Sequence, residues 1–319
     1  MVRMLRVQRL TSPTNRHIES TARLRRQRGR RETGLFIAEG VREVTRAMQA
    51  GLKLRDVFFC PTLIGGSDDD PTDMGALTGL VPALENATES VGVFSVTDRL
   101  LTKLAYRDEP EGVLAVFEQR VWSFKDVLDA THGPSLWLVA VGTTKPGNLG
   151  AMARSVVAAG GQALFVTDGV VDIYNPNAIR ASTGAVFELP IVADATANVR
   201  AFLIEHDVTF IAASPDAPTC YTDVDMTGPV ALVLGAEDTG LPAVWSAAPA
   251  PANAPANAPG NAPANASGDA PGDAPGDALA DALRKYVAVF IPMSHGVVDS
   301  LNASAAATLL LYEAVRQRT

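Results

Sequence analysis

The sequence predicts an α/β protein of two domains, with a parallel sheet in the C-terminal domain. Strand-length apolar segments, among them residues 35–39 and 136–141, alternate along the chain with segments of helical spacing. Such alternation is typical of a sheet covered by helices. The 319 residues are enough for two domains of ordinary size, and 47% of them are hydrophobic, so each domain can form a core.

The N-terminal third is predicted to be a small α/β domain over residues 1–120, followed by a linker over residues 121–134. Its predicted strands cover residues 35–39, 57–60, 93–96 and 112–117. Its predicted helices cover about residues 15–28, 41–50 and 98–105, and residues 65–80 are expected to form a surface loop.

The second predicted domain covers residues 135–319. Its expected strands are residues 136–141, 163–166, 209–213, 231–234 and 287–291. A glycine-containing loop, residues 142–147, leads into a helix over about residues 149–159. A strand, glycine loop and helix in this order can also bind a dinucleotide, but the chain lacks the Gly-x-Gly-x-x-Gly pattern and the acidic residue that should follow it.

The C-terminal segment is predicted to be a buried strand, a tight loop after Pro292 and a long helix with Ser300 as its N-cap. Six residues with helical spacing form one apolar face: Leu301, Ala305, Thr308, Leu309, Tyr312 and Val315. This spacing does not explain Asn302. Its amide either supports the cap or faces a ligand pocket at the helix N-terminus.

Residues 247–280 form a repeat of Ala, Pro, Asn, Gly and Asp. Such a segment buries too little apolar surface to offset an ordering cost of roughly 1–2 kcal/mol per residue. We expect it to be disordered and to have no role in chemistry. A fold can tolerate it, because the cost of closing a loop grows slowly with length.

Charge is distributed unevenly along the chain. The formal net charge is −8, yet residues 1–55 carry 14 Arg and Lys against 4 Glu, a balance of +10, which leaves −18 for the rest. A local basic patch is enough to attract a phosphate backbone, since distant charge is screened within about 10 Å. Arg23, Arg25 and Arg26 are therefore candidate contacts to a phosphate backbone, with a solvated basic helix as the alternative.

Other function classes are disfavoured. No apolar run approaches the eighteen residues of a membrane span, so a cytoplasmic protein without membrane association is expected. The two cysteines, Cys60 and Cys220, are predicted to be reduced thiols in different domains. The four histidines are dispersed, so no metal site is predicted.

Three segments together resemble a known family. Residues 145–160, residues 230–242, and Ile291-Pro-Met with Ser300-Leu-Asn-Ala-Ser-Ala-Ala are similar, in order and spacing, to the three motifs of the SpoU (TrmH-like) RNA ribose 2′-O-methyltransferases. The resemblance covers about residues 135–319 apart from the repeat. A weaker resemblance, carried by Phe36, Glu39, Gly40 and Arg42, links the N-terminal third to the substrate-binding domain of this family.

The resemblance implies a trefoil-knotted SPOUT methyltransferase domain, a ribosomal-protein-like N-terminal domain, a homodimer and S-adenosylmethionine as cofactor. It implies that Gly235, Ile291, Leu301 and Asn302 hold the adenosyl group. It also implies a catalytic set of Asn148, Arg154, Glu237 and Asn302. Glu237 as a simple turn residue and Arg154 as a surface arginine remain the alternatives.

A further segment, Arg180-Ala-Ser-Thr-Gly, is similar to one that follows the second strand in the family. Arg180 and Ser182 either line the RNA or brace a short helix.

The implied activity is methylation of a ribose 2′-hydroxyl in RNA, with ribosomal RNA preferred over tRNA because of the N-terminal domain. A non-catalytic RNA-binding protein of the same fold and a Rossmann-type oxidoreductase are the rival interpretations.

Overall fold

The computed structural model of the chain describes residues 6–67, 70, 73, 75–80, 84, 91–169, 172–237, 239–245, 285–294 and 300–319. The helices are α1 Arg16–Arg23, α2 Gln27–Thr33, α3 Val41–Gln49, α4 Asp98–Leu104, α5 Phe124–Ala130, α6 Pro146–Ala158, α7 Pro176–Ser182, α8 Thr196–Glu205 and α9 Ala303–Arg318. Short 3-10 turns cover Pro61–Ile64, Gly75–Leu80, Ala185–Phe187, Tyr221–Asp223 and Ala243–Trp245.

The strands are β1 Val7–Leu10, β2 Leu35–Glu39, β3 Leu54–Phe59, β4 Gly92–Val96, β5 Val113–Glu118, β6 Leu136–Val141, β7 Ala163–Thr167, β8 Ile191–Ala193, β9 Thr209–Ala213, β10 Thr219–Cys220, β11 Val230–Leu234 and β12 Tyr286–Phe290. The chain divides into two compact units, one of residues 1–127, 144–158 and 170–192, the other of residues 128–143, 159–169 and 193–319. The boundaries predicted from sequence, 1–120, 121–134 and 135–319, place α6 and α7 in the second domain and remain a prediction.

The first unit contains a mixed sheet whose described strands have the order β1-β4-β3-β5-β2. Strands β1, β4 and β3 are parallel, whereas β5 runs antiparallel to both β3 and β2. Phe36 on β2 is fully buried and stacks on Tyr174, with ring centroids 4.4 Å apart, and on Phe117. This aromatic cluster forms much of the core on one face of the sheet.

The second sheet has the described order β10-β12-β9-β11-β6-β7-β8, and the pairs from β10 to β7 are parallel. All residues of β6 and β11 are buried, as expected for central strands covered on both faces. Trp137 on β6 stacks on Phe202 of α8 at 5.5 Å, which fixes that helix on the sheet. The α/β class with a mostly parallel sheet, predicted from sequence, is confirmed.

The predicted strands agree with the observed ones to within a few residues, but several helices differ. The predicted helix over residues 15–28 is two helices, α1 and α2, and the helix predicted from Leu149 starts at Pro146. Proline suits the first helical position because its missing N–H would have no partner there. The sequence analysis did not predict β1, β8, β10, α5 or α8.

The break between α1 and α2 has a local cause. The carbonyl of Leu24, which a continuous helix would pair with the N–H of residue 28, accepts instead from Nη1 of Arg30 at 2.5 Å. Gly29 permits the close approach of the two helices, because a Cβ there would lie 2.2 Å from the Arg23 carbonyl oxygen. Arg30 is thereby buried in the first unit instead of lying beside the exposed arginines.

Helix α9 buries a different face from the apolar face that the sequence predicts. The buried residues are Ala303, Ala307, Leu310, Leu311, Glu313 and Ala314, whereas Leu309 and Tyr312 are 40% and 47% exposed. Both sides of this helix carry apolar residues, so spacing alone could not decide between them.

Three further findings concern the described part of the chain. No described helix combines the length and apolar composition that a bilayer crossing requires. Cys60 and Cys220 are free thiols. The repeat over residues 247–280 lies outside the described residues, so its predicted disorder stays a prediction.

Candidate active site

A pocket opens in the second unit where parallel strands end. It encloses about 770 Å³ of space, including its opening to solvent. The carboxyl ends of β9, β11 and β12 and the first turn of α9 form its walls, a position where open parallel sheets commonly bind ligands. The lining residues are Ala213, Ser214, Pro215, Leu234, Gly235, Ala236, Glu237, Gly240, Val289, Ile291, Met293, Ser300, Leu301, Ala303 and Ala306.

Gly235 allows the wall after β11 to fold back on itself. A Cβ at this position would lie 2.3 Å from the carbonyl carbon and oxygen of Gly240, a distance that no side chain can occupy. The loop closes through an antiparallel bridge between Ala236 and Gly240. Backbone groups of the loop can therefore approach a ligand closely, which is a common use of glycine at binding sites.

Glu237 and Asn302 meet at the edge of this pocket, although 65 residues separate them. The Asn302 side-chain amide donates to Oε1 of Glu237 at 2.6 Å, and the N–H of Ala303 donates to the same oxygen at 3.3 Å. The other side of the amide, Oδ1, accepts from the N–H of Ser304 at 2.9 Å. Asn302 therefore both caps α9 and holds the Glu237 carboxylate at the edge of the pocket.

The prediction of Ser300 as the helix cap was wrong. Helix α9 starts at Ala303, and Asn302 has the extended backbone and the side-chain acceptor of an N-cap. Ser300 instead lines the pocket together with Leu301. The preference of asparagine for N-cap positions was a usable signal, but apolar spacing that begins at Leu301 obscured it.

Asn148 and Arg154 lie on α6, which belongs to the first unit. Asn148 is half-buried in the first turn, where its N–H donates to the carbonyl of Lys145 at 3.1 Å. Arg154 is exposed, and its guanidinium makes no hydrogen bond or ion pair with the described part of the chain. An exposed and unpaired guanidinium is suited to bind a phosphate of a substrate.

A basic groove in the first unit contains the predicted RNA contacts on α1 and in the turn after it. Arg23, Arg25 and Arg26 are all exposed and line this groove. The other lining residues are Glu19, Ala22, Arg28, Gly29, Glu32, Lys103 and Tyr106. Arg25 is oriented by a bond from Nη1 to the carbonyl of Lys103 at 3.2 Å. The groove combines positive charge with an aromatic ring, as nucleic-acid sites often do.

Lys103 and Tyr106 were missed by the sequence analysis. They lie at the end of α4 and just after it, about 80 residues after Arg23, and only the folded chain places them beside the arginines. The dipeptide Tyr106-Arg107 at the end of a short helix was a possible but weak signal.

The structure separates the two residues of the Arg180 segment. Nη2 of Arg180 donates to Oδ1 of Asn177 at 3.2 Å. The Arg180 side chain is nevertheless exposed, so it is accessible to a ligand. Ser182 is fully buried, and its hydroxyl donates to the carbonyl of Ile179 and accepts from the N–H of Gly184. Ser182 braces the end of α7, so its assignment as an RNA contact is corrected.

The described residues contain no group of His, Cys, Asp or Glu side chains that could hold a metal ion. Among the described polar side chains at the pocket, the Asn302 amide and the Glu237 carboxylate are bonded to each other, and Ser214 and Ser300 also line the cavity. The site is thus built from backbone, apolar side chains, two serines and one fixed polar pair.

Comparisons with known proteins agree with this geometry. Residues 135–250 match the model of the SpoU rRNA Methylase family, and residues 15–115 match an MRM3-like substrate binding domain. A 23S rRNA (guanosine-2′-O-)-methyltransferase RlmB from Xylella fastidiosa is 32% identical over 245 residues, which are 74% of this chain and 82% of the relative.

Two solved structures extend the similarity over nearly the whole chain. A crystal structure described as an RNA 2′-O ribose methyltransferase is 33% identical to this chain, with a TM-score of 0.70. The match covers 98% of this chain and 99% of the chain in that structure. AviRb from Streptomyces viridochromogenes, a SpoU methyltransferase solved with AdoMet, is 25% identical with a TM-score of 0.71, covering 95% of this chain and 98% of its own. The family match and the pocket lined by two of its motifs lead to one conclusion: the chain belongs to the SpoU rRNA methylase family.

Proposed function

We propose that the protein transfers a methyl group from S-adenosylmethionine to a ribose 2′-hydroxyl of ribosomal RNA. The observation that carries this proposal is the pocket at the ends of β9, β11 and β12, where two family motifs meet through the Glu237–Asn302 bond. The relative from Xylella fastidiosa is named for this reaction on 23S rRNA, which favours ribosomal RNA over tRNA. Methylation by the purified protein of unmodified ribosomal RNA, with tRNA as the comparison, tests it.

The pocket fits the proposed cofactor. S-adenosylmethionine, when bound, supplies a methyl group activated by a sulfonium. The backbone at Gly235 and the apolar residues Ile291 and Leu301 line the cavity and would hold the adenosyl group. Asn302 keeps the Glu237 loop in place beside them. AviRb, a relative with the same fold, was solved with this cofactor.

Arg154 is proposed to act on the RNA. Its guanidinium would bind the phosphate next to the target ribose and stabilise the negative charge that develops on the 2′-oxygen as the hydroxyl loses its proton. Direct proton removal by Arg154 is the less favoured alternative, because a guanidinium normally keeps its proton. Asn148, at the start of the same helix, would fix the preceding loop.

The rival function is RNA binding without catalysis. The four motif residues Asn148, Arg154, Glu237 and Asn302 are all present, which favours an enzyme. Titration of the protein with S-adenosylmethionine separates the two functions. A protein that binds ribosomal RNA but shows no cofactor binding at millimolar concentration would be the non-catalytic form.

Replacing Asn302 with alanine is expected to weaken cofactor binding about tenfold or more. The change removes the helix cap, which contributes about 0.5–2 kcal/mol, and the hydrogen bond to a carboxylate, which contributes about 1.5–3 kcal/mol. Isothermal titration with S-adenosylmethionine measures the effect.

Two variants serve as controls for that measurement. Asn302→Ser keeps a capping side chain but removes the amide that holds Glu237, so it should also weaken binding. Asn15→Ala removes the equivalent cap of α1, in the other unit, and should leave cofactor affinity unchanged. Equal affinities of wild type and Asn302→Ala would exclude this role for the amide.

The basic groove is proposed to contact the RNA backbone. Replacing Arg23, Arg25 and Arg26 together with glutamine should weaken RNA binding and reduce the slope of log K against log salt by up to about three, because each arginine neutralises up to one phosphate. Fluorescence anisotropy at several salt concentrations measures both. The exposed Arg99 provides a single-site control, and an unchanged slope in the triple variant would rule out phosphate binding by this groove.

The finer features of the fold and assembly are also proposals. The resemblance supports a trefoil knot in the methyltransferase domain, a ribosomal-protein-like N-terminal domain, and a cytoplasmic homodimer.

The exposed Leu309 and Tyr312 on α9 offer an apolar surface for the second subunit. Tyr312→Lys should therefore give a monomer in sedimentation experiments, whereas Val121→Lys, at a more exposed apolar residue of the other unit, should not. A wild-type protein that sediments as a monomer would refute the dimer.

A further inference from the structure

A second pocket lies in the first unit, between α3 and α7. It holds about 430 Å³ of space, including its opening to solvent. Its lining residues are Arg25, Ile37, Glu39, Glu43, Tyr106, Arg107, Pro176, Ile179 and Arg180.

Two glutamates that line this pocket each have one carboxylate oxygen without a partner among the described residues. Glu43 is only 2% exposed; its Oε1 accepts from Arg42 at 2.6 Å, while its Oε2 is buried and accepts no hydrogen bond from the described part of the chain. In Glu39, Oε2 accepts from the N–H of Tyr106 at 2.9 Å, and Oε1 is buried and likewise lacks a described partner. Burying an acceptor unpaired costs about 1–3 kcal/mol, more when it is charged, so both oxygens favour a ligand that brings hydrogen-bond donors.

The surroundings of the pocket favour RNA as the source of those donors. Arg25 and Tyr106 line both this pocket and the basic groove proposed to bind RNA. Arg180 adds positive charge at the pocket, whereas Arg107 is paired with Glu111. Tyr106 is 41% exposed, so its ring is accessible for stacking. A base that leaves the RNA backbone in the groove could stack on this ring and insert one edge.

Guanine is the base that offers two adjacent donors to such acceptors. Its N1–H and its N2 amino group lie side by side on the Watson–Crick edge and point in the same direction, so two acceptors can be satisfied at once. Adenine and cytosine present one amino group beside an acceptor nitrogen, and uracil presents one N–H between two carbonyls. An acceptor nitrogen or carbonyl placed against a buried carboxylate is repelled.

We propose that this pocket binds the Watson–Crick edge of an unpaired guanine in the substrate RNA, through Glu39 and Glu43. The inference rests on the proposed function only in taking RNA as the ligand. It makes the pocket a specificity determinant outside the cofactor site: a guanine held there would fix the register of the RNA along the groove.

Short RNAs test the pocket without any mutation. Fluorescence anisotropy with the full chain compares single-stranded uridine oligomers that contain one guanosine, one inosine or one adenosine at the same central position. Inosine differs from guanosine only in lacking the N2 amino group. We expect the guanosine oligomer to bind about tenfold more tightly than the inosine oligomer, and the adenosine oligomer to bind no better than inosine.

Variants then assign the preference to the carboxylates. Glu43→Gln and Glu39→Gln should each reduce the guanosine-to-inosine affinity ratio towards one, whereas Glu109→Gln, an exposed glutamate on the nearby loop, should leave the ratio unchanged. Thermal melting verifies that the variants are folded. Equal binding of guanosine and inosine oligomers by the wild type, or a full preference retained in both pocket variants, would overturn the proposal.

The outcome is independent of the methylation test. If the protein methylates ribosomal RNA but does not distinguish guanosine from inosine, only the guanine pocket fails. If it prefers guanosine but transfers no methyl group, the pocket stands and the proposed enzymatic function fails.

Discussion

Arg154→Ala is expected to lower the rate of methyl transfer at least about a hundredfold while changing cofactor affinity less than a few-fold. Loss of one oriented group that stabilises developing charge typically reduces the rate by about 10²–10³. Arg154 is exposed on α6 and its guanidinium has no partner in the described part of the chain, so its removal should not disturb the fold. Single-turnover assays with saturating RNA and titration with the cofactor measure the two quantities.

Two further variants sharpen this result. Arg154→Lys keeps a positive charge and should recover part of the rate if the residue binds phosphate and stabilises the oxyanion. Arg99→Ala removes an exposed arginine elsewhere in the same unit and should have little effect on the rate. Turnover of Arg154→Ala at the wild-type rate would contradict the assignment of this residue as catalytic.

The largest effect on stability is expected at Arg30. Its side chain is only 2% exposed. Nε donates to Oδ2 of Asp172 at 2.7 Å, and Nη1 donates to the carbonyl of Leu24 at 2.5 Å. Arg30→Ala would leave the Asp172 carboxylate, 12% exposed, without its counter-charge. Removing one partner of a buried ion pair costs about 3–5 kcal/mol, and urea unfolding of the full-length protein should show a decrease of this size in the free energy of unfolding.

The neighbouring Arg28 provides the matched control. It pairs with Glu32 four residues later on α2, but both side chains are largely exposed, at 83% and 56%. Exposed pairs of this kind contribute about 0.3–0.5 kcal/mol, so Arg28→Ala should change the free energy of unfolding only slightly. Equal decreases for the two variants would show that burial does not strengthen the Arg30–Asp172 pair.

Much of the fold was predictable from sequence because it depends on local pattern. The central strands, such as β6, are continuous apolar segments of strand length, and they are buried as that pattern requires. The motif residues were identifiable because the family resemblance assigns them by type and spacing. The structure adds the bond between Glu237 and Asn302, which joins two of these motifs.

Features that depend on long-range contacts were not predictable. The arginines of residues 23–30 are alike in sequence, yet Arg23, Arg25 and Arg26 are exposed in the groove, whereas Arg30 is buried against an aspartate 142 residues away. The unpaired oxygens of Glu39 and Glu43 become visible only when β2, α3 and the loop after α4 come together.

The sequence alone determined the α/β class, the order of the strands along the chain and the chemical types of the site residues, because these follow from hydrophobic period and motif spacing. Tertiary structure alone decided which of two apolar faces α9 buries, which arginine is enclosed and which carboxylates remain unpaired. Those outcomes depend on what each side chain meets across the fold, and local patterns carry no information about partners that are distant in sequence.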